Sequence, residues 1–348
     1  MSTYRISFEY DTIIINYDIL DAWVPELKRW GAKVLIADEA HYLKNGKAKR
    51  TKAFQKLKTR DVGMIALTGT PVVNAPIEFY RTLRMIEPDL FPNFWNFAQR
   101  YCNAKHNGFG WDFRGSKNEE ELFEILTKET RLMLRRLKSD VMKELDPVTR
   151  SIIRIPKTNP ECDIESVDLA EMERARQTCI EVKMPHAREW IDNFLESGKK
   201  LVIFVHHRIT TQTLLSWFPN SLVIDGSTPG NRRQEIVREY QSNPKRQLLI
   251  GNIKAAGVGL TLTAASDCLF LELPWTPADL RQAIDRLHRI GQENPVTAWF
   301  MLVQDSVETK IMDVLDGKAK VLSKVLNGKE LDEEELLNNM KETESENN

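Results

Sequence analysis

The chain has 348 residues, 49 Lys and Arg against 50 Asp and Glu, 42% hydrophobic and 28% charged. That apolar share is too high for a disordered chain, and the length suits two domains. No apolar run of 18 residues is present to span a bilayer, and Met1 to Tyr10 lacks the basic start and apolar stretch of a signal peptide, so an intracellular protein with no membrane partner is expected.

Short apolar runs of strand length alternate with helical patterns in two blocks. In the first, Thr12 to Asn16, Lys33 to Ala37 and Val62 to Leu67 read as strands, with helices at Ile19 to Trp30 and Ala48 to Leu57. Strands apolar throughout and joined by helices imply a parallel sheet. Ala75 to Asp146 is aromatic-rich and mostly helical, with a Gly/Asn-containing break at Asn103 to Lys117. Arg150 to Pro156 reads as a connecting strand, and Val167 to Glu196 as a long helix bent near Pro185.

The second block offers strands at Leu201 to Val205, Leu222 to Ile224, Gln247 to Ile250, Cys268 to Leu271 and Thr297 to Leu302. Thr228 and Pro229 suit the cap and first turn of a helix through Tyr240. Ser306 to Leu326 is helical, with Val307, Ile311, Val314 and Leu315 expected on one apolar side. The fold class is therefore α/β with two parallel-sheet lobes. The expected divisions are 1–146, a linker and connecting helix at 147–183, a second lobe at 184–329 and an acidic tail at 330–348. That tail holds eight acidic residues from Glu330 to Glu346, and without it the body has 48 basic and 42 acidic residues, a balance suited to phosphate chains. Cys102, Cys162, Cys179 and Cys268 form no Cys-x-x-Cys pair and are expected to be free buried thiols.

The sharpest chemical signal is Val34-Leu-Ile-Ala-Asp38-Glu39-Ala-His41. An apolar strand ending in two carboxylates sets them at the carboxyl edge of a parallel sheet, where α/β folds bind ligands. In nucleotide hydrolysis one carboxylate holds Mg²⁺ through water and the next polarises the attacking water; Asp38 suits the first role and Glu39 the second. Taken alone, the pair also suits a turn that begins a helix. A zinc site at Glu39 and His41 lacks a second His at helical spacing. Ala66-Leu-Thr68-Gly69-Thr70-Pro71 leaves the next strand as a hydroxyl-rich turn. Far downstream, Gln282-Ala-Ile-Asp285-Arg286-Leu-His288-Arg289 puts two arginines three apart, expected on one helical face, a spacing that serves arginine fingers.

In their order, these strings resemble the Swi/Snf family of DNA translocases, in helicase superfamily two. The matches are Ile14-Ile-Asn-Tyr17-Asp-Ile-Leu20, the Asp-Glu-Ala-His box at 38–41 continuing to Lys44-Asn45, Leu67 to Asn74, and Leu134-Arg-Arg-Leu-Lys138-Ser-Asp140-Val. Then follow Ile224-Asp-Gly-Ser227, Ala256-Gly257-Val-Gly259-Leu-Thr261-Leu-Thr263 and the arginine segment. The resemblance implies two RecA-like lobes with helical insertions and a C-terminal brace helix, ATP and Mg²⁺ as cofactors, and double-stranded or branched DNA as partner. It implies cytoplasmic residence in a prokaryote or virus and nuclear residence in a eukaryote. Glu39, Arg286 and Arg289 would be catalytic. Asp38, His41, Gly257, Gly259, Gln282 and Asp285 would bind the nucleotide, with Asp38 on the metal.

The family needs a Gly-x-x-x-x-Gly-Lys-Ser/Thr loop to cradle phosphates. Gly-Lys occurs at Gly46, Gly198, Gly317 and Gly328, never followed by Ser or Thr. The front of the first lobe is thus expected to be missing, with a separate chain as one source of it, leaving this chain unable to hydrolyse ATP alone. A non-hydrolysing DNA- or partner-binding module descended from such a motor is the alternative. Lys44 to Arg60 carries eight bases in 17 residues, either a solvated helix surface or a phosphate-binding face. Candidate DNA contacts are Lys44, Lys47, Lys49, Arg50, Thr68, Arg135, Arg136, Lys138, Thr261 and Thr263. His206 and His207 follow a strand and serve either to polarise phosphate or as satisfied edge histidines.

Overall fold

The computed structural model describes residues 10–69, 75–106, 108, 110–136, 138–163, 169–256 and 259–327. These divide into two compact units, 10–132 with 321–327 and 133–320.

In the first unit α1 is Leu20–Trp30, β1 Val34–Ala37, α2 Lys49–Leu57 and β2 Gly63–Ala66. α1 stops at Gly31, whose left-handed backbone (φ 77°) lets its N–H donate to the Leu27 carbonyl. β1 and β2 pair in parallel, with Ala37 opposite Ala66. Leu35, Ala37, Met64 and Ala66 turn to a core that includes Val24 and Leu27 of α1 and Phe54 and Leu57 of α2. The alternate residues Val34, Ile36 and Ile65 face outward, Ile36 with 63% of its surface exposed. Among the described residues this sheet has two strands and one covered face.

The expected strand at Thr12 to Asn16 forms no ladder. Ile13 and Ile15 pack on the core while Ile14 is exposed, so the alternation is real. A ladder also needs a neighbouring backbone, and packing alone does not supply one.

Beyond these come α3 (Ile77–Ile86), α4 (Phe94–Tyr101), capped by the Asn93 carboxamide oxygen accepting from Trp95 N at 2.8 Å, and α5 (Glu119–Glu124). The break at Asn103 to Lys117 holds an antiparallel pair, β3 (Lys105–His106) and β4 (Trp111–Asp112).

The second unit begins with α6 (Lys138–Val141), β5 (Thr149–Ile155) and α7 (Leu169–Glu196, with Pro185 inside it). Then follow β6 (Leu201–Val205), α8 (Arg208–Trp217), β7 (Leu222–Ile224), α9 (Gly230–Ser242), β8 (Leu248–Asn252) and α10 (Ile253–Ala256). β9 (Asp267–Phe270), α11 (Pro277–Ile284), β10 (Thr297–Val303) and the part of α12 (Val307–Asn327) up to residue 320 complete it. The six strands are all parallel in the order β5-β10-β9-β6-β8-β7. The connecting strand is therefore an edge strand of this sheet. The protein is an α/β fold built on parallel sheets.

Along β6, Val202 and Phe204 enter one core while Leu201, Ile203 and Val205 enter the other. Phe204, Phe270 and Phe300 stack across three neighbouring strands with centroids 5.0 Å apart. α12 buries Val307, Ile311, Met312 and Leu315, and Val314, at the margin of the stripe they form, is exposed. α9 starts one residue later than expected, with Pro229 as its cap residue. The Thr228 hydroxyl is occupied with Asp225 instead. All four cysteines are buried and free.

One charged pair lies inside this apolar frame. Lys183 of α7, fully buried, donates to the Leu271 and Met301 carbonyls at 2.5 and 3.0 Å and to Glu308 Oε1 at 2.5 Å. Glu308 Oε2 in turn accepts from Val303 N at 3.1 Å. Removing one partner strands a charge, whereas replacing both with apolar groups does not. Lys183→Ala is expected to destabilise the second unit by about 3–5 kcal/mol in urea unfolding, and Lys183→Met combined with Glu308→Leu to recover most of that loss.

Candidate functional site

In the first unit β1 delivers Asp38 and Glu39 to the carboxyl edge of the sheet. Leu67 N donates to the Ala37 carbonyl at 2.8 Å and Ala40 N to the Leu67 carbonyl at 2.9 Å, which ties the two strand exits together. Asp38 Oδ1 accepts from Glu39 N at 3.0 Å, and the Asp38 carbonyl accepts from the Tyr17 hydroxyl at 2.8 Å. Glu39 adopts a left-handed backbone, φ 47° and ψ 52°, at a residue that is not glycine, a conformation that costs about 1 kcal/mol or more and clusters at functional sites. The turn then tightens into a 3₁₀ helix over Ala40–Leu43.

His41 Nδ1 lies 3.2 Å from Thr68 Oγ1 and 3.2 Å from Glu39 Oε2. Only the first contact has hydrogen-bond geometry, and Glu39 Oε2 is buried without a hydrogen-bond partner. A buried acceptor left open beside a second carboxylate suits a bound water or a hydrated cation. Asp38, Glu39, His41 and Thr68 thus come together. Gly69 follows Thr68, while Thr70 to Asn74 lie outside the described residues.

The basic segment divides into two sets. Lys44 pairs with Glu78 at 2.8 Å, Lys56 with Asp21 at 3.1 Å and Arg60 with Asp89 at 3.3 Å. Arg50 Nε donates to the Tyr42 carbonyl at 3.0 Å, and its guanidinium sits 5.6 Å over the Tyr42 ring, bracing the turn after His41. Lys47, Lys49 and Lys52 are exposed.

In the second unit the arginine segment is not helical. α11 ends at Ile284, and Asp285 to Arg289 form successive turns before Gly291, which is left-handed at φ 92°. The helix stops because the Arg286 carbonyl accepts from Leu262 N at 2.8 Å, a bond to a distant loop in place of the next helical turn. The two arginines still converge: Arg286 Nη1 and Arg289 Nη1 donate to the Leu260 carbonyl at 3.4 and 3.0 Å, and Arg289 also reaches Thr261 Oγ1 at 3.1 Å.

Asp285 accepts from Lys138 Nζ at 2.5 Å, and the same ammonium donates to the His288 carbonyl at 2.7 Å, so Lys138 spans the arginine turn. His288 Nε2 lies 2.9 Å from the Asp146 carbonyl. Gln282 presents its carbonyl to Arg286 Nε at 3.1 Å. Thr263 accepts from Gln241 Nε2 at 3.1 Å. Gly259 is left-handed at φ 69°, and Gly257 lies outside the described residues. Burial and the neighbouring Arg281 lower the Arg135 guanidinium to about 10, while Arg136 is exposed. His207 contacts Glu272 through Nδ1 and Glu173 through Nε2.

The Leu260 carbonyl, Gln241 and the Tyr17 hydroxyl are the parts that sequence reading missed. Tyr17 stands within a quoted motif but carries no chemistry on its face, and the other two have no local signal.

Comparison with known proteins accounts for both halves. Residues 2–164 match the SNF2-related domain and residues 186–291 the helicase conserved C-terminal domain. The chain belongs to the SNF2 family. A SWI/SNF-related matrix-associated actin-dependent regulator of chromatin subfamily A-like protein 1 homolog of Caenorhabditis elegans is 34% identical over 341 residues, covering 91% of this chain and 48% of the relative. The DNA annealing helicase and endonuclease ZRANB3 of Bos taurus is 31% identical over 360 residues, 93% of this chain and 33% of the relative. This SNF2 chain thus spans less than half of either. The Sulfolobus solfataricus SWI2/SNF2 ATPase core in complex with dsDNA superposes with a TM-score of 0.42 at 23% identity, covering 94% of this chain and 76% of that one. No helix among the described residues is long and apolar enough to cross a membrane.

Beside the Asp-Glu-Ala-His box of this SNF2 chain, Tyr17 makes a testable contribution through its bond to the Asp38 carbonyl. Burial first, then the charges of Asp38 and Glu39, push its phenol up to about 12. Tyr17→Phe is expected to cost about 1 kcal/mol in urea unfolding at pH 7. The folded state holds this proton more tightly than the unfolded chain, whose phenol titrates near 10. The Tyr17 contribution is therefore fully present below pH of about 10 and lost as pH rises to about 12. The stability difference between wild type and Tyr17→Phe, followed over that window, reads it.

Proposed function

We propose that this chain is the catalytic and DNA-tracking portion of an SNF2-type ATPase that moves on double-stranded or branched DNA, working with a polypeptide segment, in cis or as a separate chain, that supplies the phosphate loop. The observation that carries the reading is the pair Asp38 and Glu39 at the exit of β1, with Glu39 strained and its Oε2 unsatisfied. Magnesium-bound ATP supplies the reacting phosphate when present. Asp38 is the residue to hold the magnesium, through water, and Glu39 orients and polarises the attacking water, with His41 and Thr68 fixing the carboxylate's surroundings. Arg286 and Arg289 neutralise charge on the transferring phosphate.

The phosphate-loop segment has a natural seat on the first unit. Val34, Ile36 and Ile65 leave a sheet face bare, and each of β1 and β2 has one unpaired edge among the described residues. An apolar face and open parallel strands are complementary to further strands of the same sheet. Lys47, Lys49 and Lys52, the exposed bases beside the box, serve as phosphate contacts without sequence preference. A DNA-containing intracellular compartment, the nucleus for a eukaryotic chain, is the setting this requires.

A non-hydrolysing binding module is the second reading, favoured by the absence of a Gly-Lys-Ser/Thr sequence and by the attachment of both arginines to the Leu260 carbonyl. The two readings separate in a reconstitution. Alone, the chain is expected to show no DNA-stimulated turnover approaching about 1 per second; with the phosphate-loop segment added it is expected to turn over. In that complex Glu39→Gln should keep ATP binding and lose turnover, and Arg286→Ala or Arg289→Ala should lower the rate by about 10³ to 10⁵. Reconstituted turnover that all three variants leave within a few-fold of wild type defeats the assignment, and so does turnover by the chain alone.

DNA binding is tested separately. Replacing Lys47, Lys49 and Lys52 by Ala should flatten the salt dependence of duplex binding by about 0.9 per lost phosphate contact. An unchanged slope returns those lysines to plain solvation.

A further inference from the structure

At the carboxyl ends of β6 and β9 lies a cluster that the ATPase reading does not use. His207 is held between two carboxylates: its Nδ1 is 2.5 Å from Glu272 Oε2, and its Nε2 contacts Glu173 Oε1 from α7. Glu272 is 2% exposed, and it also accepts from His207 N at 3.2 Å, so its position is fixed. His206, next in the chain, sets its ring at 89° to that of His207 with centroids 5.0 Å apart. Its ring nitrogens make no hydrogen bond among the described residues. Ligand atoms of Glu173, His206 and His207 all lie within 4.8 Å of one another.

A neutral imidazole has one donor and one acceptor nitrogen. In that form Nδ1–H donates to the buried Glu272 carboxylate, which leaves a lone pair on Nε2 aimed at a carboxylate oxygen. Two acceptors face to face repel unless a proton is shared between them or a metal ion draws them to itself. A carboxylate behind a histidine is also the usual outer support of a metal-bound imidazole, fixing its tautomer and raising its basicity. We infer that Glu173, His206 and His207 form a binding site for a zinc ion, with Glu272 orienting His207 and water completing the coordination.

Two imidazole nitrogens and one carboxylate oxygen are a donor set that suits zinc and leaves a fourth position open. Tetrahedral ligands about 2.1 Å from zinc lie roughly 3.4 Å apart, so binding asks the half-exposed Glu173 side chain to draw back from His207 Nε2 by about an ångström and the His206 ring to turn toward the ion. The cations nearest the cluster have other partners. Arg176 donates to the Leu273 carbonyl at 2.7 Å and lies 4.4 Å over the Trp275 ring, and Lys183 is bound to Glu308. Bound zinc would tie α7 to the sheet edge at its two central strands.

A proton on Nε2 would satisfy the same contact, and the experiment distinguishes it from zinc. The full chain, stripped with EDTA, is titrated with zinc chloride by calorimetry and thermal unfolding, and with cobalt(II) by visible absorption. The expected result is saturable binding of a single ion, a thermal midpoint that climbs with free zinc, and cobalt d–d bands of low coordination number. His206→Ala and Glu173→Gln should each weaken zinc at least tenfold, and Glu272→Gln by about 10- to 100-fold. Glu173→Gln, at a half-exposed helical position, keeps the test sound if His206→Ala misfolds. Absence of saturable binding overturns the site, as does zinc affinity unchanged in both Glu173→Gln and His206→Ala; either outcome leaves a protonated His207 clamped by two carboxylates.

Discussion

Parallel pairing constrains everything else in this chain. When neighbouring strands run the same way, their carboxyl ends share an edge, and the loops that leave that edge are forced together whatever their separation in sequence. β1 and β2 bring Asp38 and Thr68 side by side in this way. β6, β8 and β9 do the same for His206, His207, Asn252 and Glu272, and the Asn252 side chain donates to the His206 carbonyl at 2.8 Å. Each crossover helix must then cover a face of the sheet, which is why the strands of the second unit are buried on both sides, while among the described residues those of the first unit, apolar on both, are covered on one.

Within that frame, polar groups appear where backbone is left unsatisfied. The sheet's carboxyl edge exposes carbonyls such as Leu271 and Met301, and Lys183 reaches them from α7 through the apolar layer. The arginine turn follows the same logic. Leu260 offers its carbonyl from an irregular loop, and two guanidiniums meet there because no ladder or helix provides it with a donor. A buried acceptor collects cations in both cases, and distant elements become connected through it.

The parallel strands of the second unit were legible in the sequence because each is a short apolar run bounded by turn residues, and the Asp-Glu-Ala-His box was legible because four chemically distinct residues stand in a row. What escaped depends on partners that periodicity does not encode. Thr12 to Asn16 has the alternation of a strand and pairs with no strand among the described residues. Asp285 to Arg289 has the spacing of a helix, yet a bond from Leu262 N diverts it. Val314 belongs to the expected stripe by composition but sits at its margin and is left exposed. His207 and Glu272 are 65 positions apart, and only the sheet order makes them neighbours.

The backbone of Glu39 has a consequence for how this position tolerates change. Its left-handed conformation suits glycine or asparagine better than glutamate, and β-branched residues worst. A glycine there would relieve the strain and make the chain more stable, while deleting the carboxylate that gives the turn its chemistry. Under the proposed role for Glu39, stability and activity pull in opposite directions at this single residue.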